Sequence, residues 1–318
     1  LVGGAIGISG SLIAAAGVIA ASFPLFMTGT LLAGSYHGFS QFYRFAASDG
    51  VSPAFRAKAV SFVLVGGLAA AVIGPQIIIC TKEAVPGILF AGPFIAAAGL
   101  ITLAMVFVLA TRFPAPGAGA VAHVPARPLG EIARQPAFVG AVATGMVAYA
   151  LMNFVMTASP LAMIDCGHSI DDAALGIQWH IIAMYAPGFF TGSLIGRFGV
   201  GRVMVAGLGL LALAGAVALA GVSIAHFWGA LVLLGIGWNF AYVGATTVVA
   251  GACRPSERGK AQGLNDSFVF GLVAIGSLTA GWLQTSRGWD SVVTLVFPGV
   301  AVALLALLLT SRRRAAAA

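Results

Sequence analysis

Apolar runs long enough to cross a bilayer alternate with short polar breaks along the whole chain. A membrane helix needs roughly 20 apolar residues. The pattern predicts ten helices, near 2–21, 24–46, 59–80, 86–111, 136–160, 173–195, 203–222, 227–250, 262–283 and 290–310. The first formally charged residue is Arg44. One helix over residues 1–43 would be roughly 65 Å long at about 1.5 Å per residue, against a hydrocarbon core of about 30 Å. The run therefore holds two spans, broken near Ser22-Phe23-Pro24.

Charge placement gives these spans a direction. The basic residues fall in every second break: Arg44, Arg56 and Lys58; Arg112, Arg127 and Arg134; Arg197 and Arg202; Arg254, Arg258 and Lys260; then Arg312, Arg313 and Arg314. The intervening breaks hold only Lys82 and Arg287 among basic residues, together with Glu83, Asp165, Asp171, Asp172 and Asp290. The positive-inside rule puts the first set in the cytoplasm, with a cytoplasmic C-terminus on a multi-pass membrane protein. Composition agrees with this reading: 60% of residues are hydrophobic and 8% charged, against about 25% charged in soluble domains. The basic loops account for the net charge of +7, so no nucleic-acid partner is needed. Three scattered cysteines, Cys80, Cys166 and Cys253, have no metal-type spacing. They read as packing residues, with a Cys80–Cys166 disulfide as the alternative.

The segment PSERGKA (255–261) repeats PAFRAKA (53–59) at an offset of 202 residues. At that offset Pro53 meets Pro255, Arg56 meets Arg258, Lys58 meets Lys260 and Gly74 meets Gly276, and the span edges and loop sidedness coincide. Two parallel repeats follow, a known transporter plan. The expected domains are a half-bundle over 1–111, a Pro/Gly/Ala-rich cytoplasmic linker over 112–135 and a six-helix bundle over 136–318. The second repeat begins early enough that its counterpart needs two further helices before Leu1. The expected fold is an all-α integral membrane protein carrying ten of twelve transmembrane helices, with the first two missing.

At this point the chain resembles the major facilitator superfamily over its whole length. GSLIGRFGVGR (192–202) is similar to the family signature G-x-L-x-D-R-x-G-R-R, matching at Gly192, Leu194, Arg197 and Gly199, with Gly196 at the acidic position and Val200 at a basic one. AAAVIGPQIII (69–79) keeps Gly74 and Pro75 of the exporter-associated signature G-x-x-x-G-P-x-x-G-G, but carries Ala70, Ile78 and Ile79 where glycines are expected. RPSERGKAQGLND (254–266) looks like the inner loop before the eleventh helix of bacterial members. The resemblance implies a substrate site between the two halves near the bilayer midplane, and alternating access by rocking of the halves.

Polar groups at lipid depth are costly unless they face the bundle or a wet cavity. His37, Gln41 and Arg44 share one helix face, as do Tyr149, Asn153 and Thr157; Asn239, Tyr242 and Thr246 do so beside Trp238. Gln178 and Tyr185 share another, with Trp179 and His180 adjacent. The cavity candidates are His37, Gln41, Tyr149, Asn153, Thr157, Gln178, Trp179, His180, Trp238, Asn239 and Tyr242. The gating and coupling candidates are Arg44, Asp49, Arg197, Arg202, Arg258 and Asp266. Plainer roles stand beside these. Arg44 can snorkel to the interface, and His37 and His180 can be packed and hydrogen-bonded. Trp238 and Asn239 can be core, and threonines can bond the preceding turn. Asp266 can offset a basic loop or a helix N-terminus, or carry a proton.

The expected function is secondary transport of a small organic solute, proton-coupled, by a monomer without cofactor or metal. Facilitated diffusion and a non-transporting receptor or scaffold are the alternatives, and uptake and efflux are both open. The aromatic content of the candidate faces favours an amphipathic, drug-like or vitamin-like solute. No nucleotide-binding G-x-x-x-x-G-K-[ST] loop is present. Neither H-E-x-x-H, paired intramembrane acids nor G-x-S-x-G occurs, which argues against a membrane enzyme.

Overall fold

The computed structural model of the protein describes residues 1–40, 56–111 and 127–315, the side chains of 37, 40, 56–65, 255 and 311–315 excepted. These residues are helical throughout, with no strand among them beyond an isolated bridge, Val85 to Ile88. The helices are α1 Val2–Ile19, α2 Phe23–Ser40, α3 Arg56–Thr81, α4 Ala91–Ala110, α5 Leu129–Ala133, α6 Pro136–Asp165, α7 Ile170–Tyr185, α8 Gly188–Phe198, α9 Val200–Leu219, α10 Ile224–Gly251, α11 Arg258–Arg287, α12 Trp289–Thr294 and α13 Val296–Ala315. A short 3₁₀ turn, Pro255–Glu257, leads into α11.

All ten expected spans carry helix where they are described. Seven stretches are long and apolar enough to cross a membrane: α1, α4, α6, α9, α10, α11 and Trp289–Thr310. The remaining three expected spans are not among these. α2 carries Thr28, Thr30 and Ser35, whose hydroxyls donate to Pro24 O, Met27 O and Leu31 O in the preceding turn. In α3 the stretch Gly66–Thr81 is apolar, and the side chains before it lie outside the described residues. The helix expected over 173–195 is two helices, because Pro187 brings no N–H to the carbonyl of Ala183 and the ladder breaks there. A second break, at Leu295, divides the last expected span into α12 and α13, ahead of Pro298.

The chain forms two compact units, Leu1–Gly119 and Ala120–Ala318. In the first, α1 packs on α2 and on α4, and α3 packs on α4. In the second, α9 packs on α10 and α13, α11 on α12, and α6 touches α10, α11 and α13. Shifted by 202 residues, α1 falls on α9, α2 on α10, α3 on α11 and α4 on α13. Arg56 and Arg258 are then both first residues of their helices. Each unit's tightest helix pair meets backbone to backbone. A Cβ on Gly10 would stand 2.5 Å from Ala33 N, and one on Gly207 would stand 2.5 Å from Ala241 N. Glycine at these crossings is what lets the helices touch.

The core of the second unit is built from Leu208, Leu211, Phe227, Leu231, Leu234 and Trp289, each at most 7% exposed. The end of the expected linker belongs to this unit. Ile132 of α5 is 1% exposed and packs with Phe138, Val142, Val249, Cys253 and Ala261. At its opposite end α7 starts on a capping box. Ser169 Oγ accepts from Asp172 N at 3.0 Å, and Asp172 Oδ2 accepts from Ser169 N at 3.2 Å. That cap extends the helix three residues beyond its expected start.

Candidate functional site

The richest chemistry in the second unit is an aromatic corner. Trp238 and Tyr242 lie one turn apart on α10 and stack, with centroids 5.2 Å apart and planes at 16°. Tyr149 of α6 stands across both at right angles, 5.3 Å from Trp238 and 5.1 Å from Tyr242. Phe270 of α11 closes the other side of Tyr149 at 5.6 Å. Stacked and edge-to-face pairs are both favourable aromatic geometries, so the corner is rigid without being sealed. Trp238 is 7% exposed, Tyr149 and Tyr242 are half-buried, and Phe270 is 44% exposed. The indole N–H of Trp238 is buried and has no hydrogen-bond partner. Phe270 was not foreseen, although it lies one turn after Asp266 on the same helix and so shares its face.

Polar groups border the corner along the same helices. Asn153, one turn beyond Tyr149, donates from Nδ2 to Ser277 Oγ of α11 at 2.6 Å. The Asp266 carboxylate accepts from Gln262 Nε2 at 2.7 Å and from Asn265 Nδ2 at 3.0 Å through a single oxygen, Oδ1. Both of these donors are amides on its own helix. Thr157 is half-buried on α6.

Asn239 sits elsewhere on α10, at the break between α7 and α8, where it is 3% exposed. Its Nδ2 donates to Met184 O at 2.7 Å, and its Oδ1 lies 2.6 Å from the hydroxyl of Thr191. That hydroxyl is also 2.8 Å from Pro187 O, so one proton serves two acceptors. Asn239 thus bridges a carbonyl before the break to a side chain after it, the kind of repair that a broken membrane helix requires. His180 is fully buried, with Nδ1 2.7 Å from Leu231 O. Bonding to a carbonyl makes Nδ1 the protonated nitrogen of the neutral ring, which leaves Nε2 a bare acceptor with no partner. Gln178 is buried on the same helix. Trp179 points the other way: it is 46% exposed and borders an apolar groove of about 580 Å³ with Val217, Trp228 and Leu233 on the outside of the unit.

Of the gating candidates, Arg197 lies over the ring of Phe198 at 5.2 Å, and Arg202 and Arg258 are exposed. The side chain of His37 and all of Gln41, Arg44 and Asp49 lie outside the described residues. An ion pair not foreseen forms nearby. Arg127 grips Glu257 with Nη2 to Oε2 at 2.7 Å, and with Nε and the backbone N both 2.9 Å from Oε1. Arg254 N adds a bond to Oε2 at 2.9 Å, and Arg127 Nη2 reaches Ala252 O at 3.2 Å. The Arg127 guanidinium holds the Glu257 carboxyl well below the usual carboxylate range, against a desolvation cost that pushes the other way. The three cysteines are free thiols: Cys80 and Cys166 exposed, Cys253 buried. Among the described residues no group of three or more His, Cys, Asp or Glu is gathered to hold a metal.

Comparison with known proteins fits this architecture. Residues 154–318 match the family described as Major Facilitator Superfamily. The riboflavin transporter RfnT of Brucella anthropi is 50% identical over 320 residues, covering 100% of this chain and 80% of that protein. The uncharacterized MFS-type transporter YddS of Bacillus subtilis is 33% identical over 242 residues, which is 70% of this chain and 55% of that protein. The crystal structure of the transporter FucP in its outward conformation superposes with a TM-score of 0.58 at 15% identity, over 98% of this chain and 81% of that one. With more than half the chain matching the family and a relative half-identical along all of it, this protein belongs to the Major Facilitator Superfamily, a family of membrane transporters rather than enzymes.

Proposed function

We propose that the protein carries riboflavin, or a closely similar flat heteroaromatic vitamin, across the bacterial cytoplasmic membrane by alternating access coupled to protons. The observation that carries this reading is the 50% identity to a riboflavin transporter along the entire chain. The aromatic corner supports it: a tricyclic ring finds a stacked pair on α10, with Tyr149 and Phe270 beside it. The Asn153–Ser277 pair, one turn along α6, offers amide and hydroxyl groups suited to a polyol side chain.

In this reading residues 1–111 and 136–318 are the two half-bundles joined by 112–135, and the four spans of the first match the last four of the second. The ten helical stretches are ten of the fold's twelve spans. The basic loops and the C-terminus face the cytoplasm, and the transporter acts as a monomer. Asp266 is the coupling candidate among the described residues.

The test is uptake of labelled riboflavin by proteoliposomes of the intact transporter, with and without an imposed pH gradient. Saturable uptake accelerated by the gradient is expected. Saturable uptake indifferent to pH and to sodium would replace coupling by facilitated diffusion, and no riboflavin-dependent flux would overturn the substrate. For Asp266→Asn, exchange that survives while gradient-driven accumulation fails assigns the proton to this residue. Unchanged accumulation removes it from the coupling path.

A further inference from the structure

Three buried polar side-chain atoms among the described residues have no hydrogen-bond partner: His180 Nε2, Gln284 Oε1 and Trp238 Nε1. Buried polar groups are nearly always paired, so each of the three calls for an explanation. Gln284 is anchored by its other atom, Nε2, to Asp165 Oδ2 at 3.1 Å, so its side chain already has a structural partner. His180 is held by Nδ1 within the contact of α7 with α10. Trp238 differs from both. Its single polar atom is a donor, that donor is unused, and its ring belongs to the aromatic corner.

Resting on the riboflavin reading above, we infer that Trp238 Nε1 is the specificity donor of the site, and that it hydrogen-bonds a ring carbonyl or ring nitrogen of the bound heteroaromatic substrate. A buried N–H without a partner costs free energy that an apolar ring at the same place would not incur, which points to a donor used in another state. The neighbours suit a donor that is uncovered on binding. Tyr149 and Tyr242 meet the indole through ring contacts alone, at 5.3 and 5.2 Å, and Phe270 leaves the edge of the corner open. A flat substrate that takes the place of one ring against the stack exchanges one aromatic contact for another. It also brings an acceptor to an N–H that has none. An all-carbon aromatic of the same shape gains the stacking but not the hydrogen bond. A site built to hydrogen-bond its ligand rejects analogues that cannot.

The experiment titrates the intact, detergent-solubilised transporter with riboflavin and with lumiflavin, the same ring without its polyol chain, following quenching of flavin fluorescence. Wild type is compared with Trp238→Phe and with benzothienylalanine at position 238, which keeps the bicyclic shape and replaces N–H by sulfur. Both substitutions should weaken riboflavin and lumiflavin alike, by about ten-fold, the size of one net hydrogen bond. Thermal unfolding of the benzothienyl protein should stay within about 1 °C of wild type, because the lost donor had no partner in the protein. Unchanged affinity in both substituted proteins overturns the inference. Weakening of riboflavin but not lumiflavin moves the acceptor to the polyol chain and overturns it too. A large loss of stability in the benzothienyl protein means that the N–H served the fold, with the same consequence. If wild type binds neither flavin, the riboflavin reading itself fails, an outcome distinct from these three.

Discussion

Asn239→Ala removes the side chain that spans the break between α7 and α8. Two interactions disappear: Nδ2 to Met184 O at 2.7 Å and the contact of Oδ1 with the Thr191 hydroxyl at 2.6 Å. Side-chain hydrogen bonds within membrane proteins average about 0.6 kcal/mol and reach about 1.7. The Met184 carbonyl also loses its side-chain donor in a buried setting, which costs about 1–3 kcal/mol. Thr191 costs less, since its proton still has Pro187 O at 2.8 Å. The sum is about 2–4 kcal/mol, and at about 2–4 °C per kcal/mol it lowers the melting temperature by roughly 4–16 °C. A fogging-free readout is built into the chain: Cys253 is buried, while Cys80 and Cys166 are exposed. With the latter two changed to serine, a thiol-reactive dye reports unfolding as Cys253 becomes accessible. Thr191→Val should lower the midpoint by a few degrees at most, and the double variant should fall short of the sum of the singles, as interacting pairs do. A midpoint for Asn239→Ala within about 1 °C of wild type would refute the bridge, and so would strict additivity with Thr191→Val.

Glu257→Gln should destabilise the protein at neutral pH. The wild-type carboxyl lies below its ordinary value of 4.5 when folded, so its contribution is complete above that value and is lost as pH falls through the lower folded one. Denaturant midpoints of the two proteins should therefore differ by a constant amount from pH 7 to about pH 5 and converge only in stronger acid. A gap that closes near neutrality would contradict the pairing with Arg127. Gly235→Ala places a Cβ 2.6 Å from His180 O, a backbone atom that cannot turn aside, and should cost about 1–3 kcal/mol by pushing α7 from α10. Unchanged melting would show that this crossing is looser than described. In intact cells, a membrane-impermeant maleimide should label Cys80 and Cys166; labelling of these two only after the membrane is permeabilised would invert the orientation inferred from the basic loops.

Much of this architecture was legible because lipid imposes a coarse code. The ten helical stretches, the turn near Ser22 and the 202-residue repeat follow from hydropathy and from paired Pro, Arg and Lys positions. Helical spacing also grouped Tyr149 with Asn153 and Asn239 with Tyr242 on their faces. What it could not give is the angle of each side chain within a face. Trp179 and His180 are sequence neighbours, yet one is 46% exposed and the other fully buried. Asn239 and Tyr242 share a face, yet Asn239 turns to α7 and α8 while Tyr242 joins the aromatic corner. The break at Pro187 was visible as a proline and went unread, because membrane helices often carry proline unbroken, as α6 does at Pro160. The Arg127–Glu257 pair joins residues 130 positions apart, beyond the reach of any local pattern.

That pair sets the two copies of the repeated loop apart. Glu257 stands in the second copy where the first has Phe55, between the shared proline and the shared arginine. Both copies carry their cations at matching places, Arg56 with Arg258 and Lys58 with Lys260. The second copy alone carries the acid that clasps the strand leading into its bundle. In the second copy the motif therefore does two jobs, carrying the shared cations and fastening the segment ahead of the bundle to the loop.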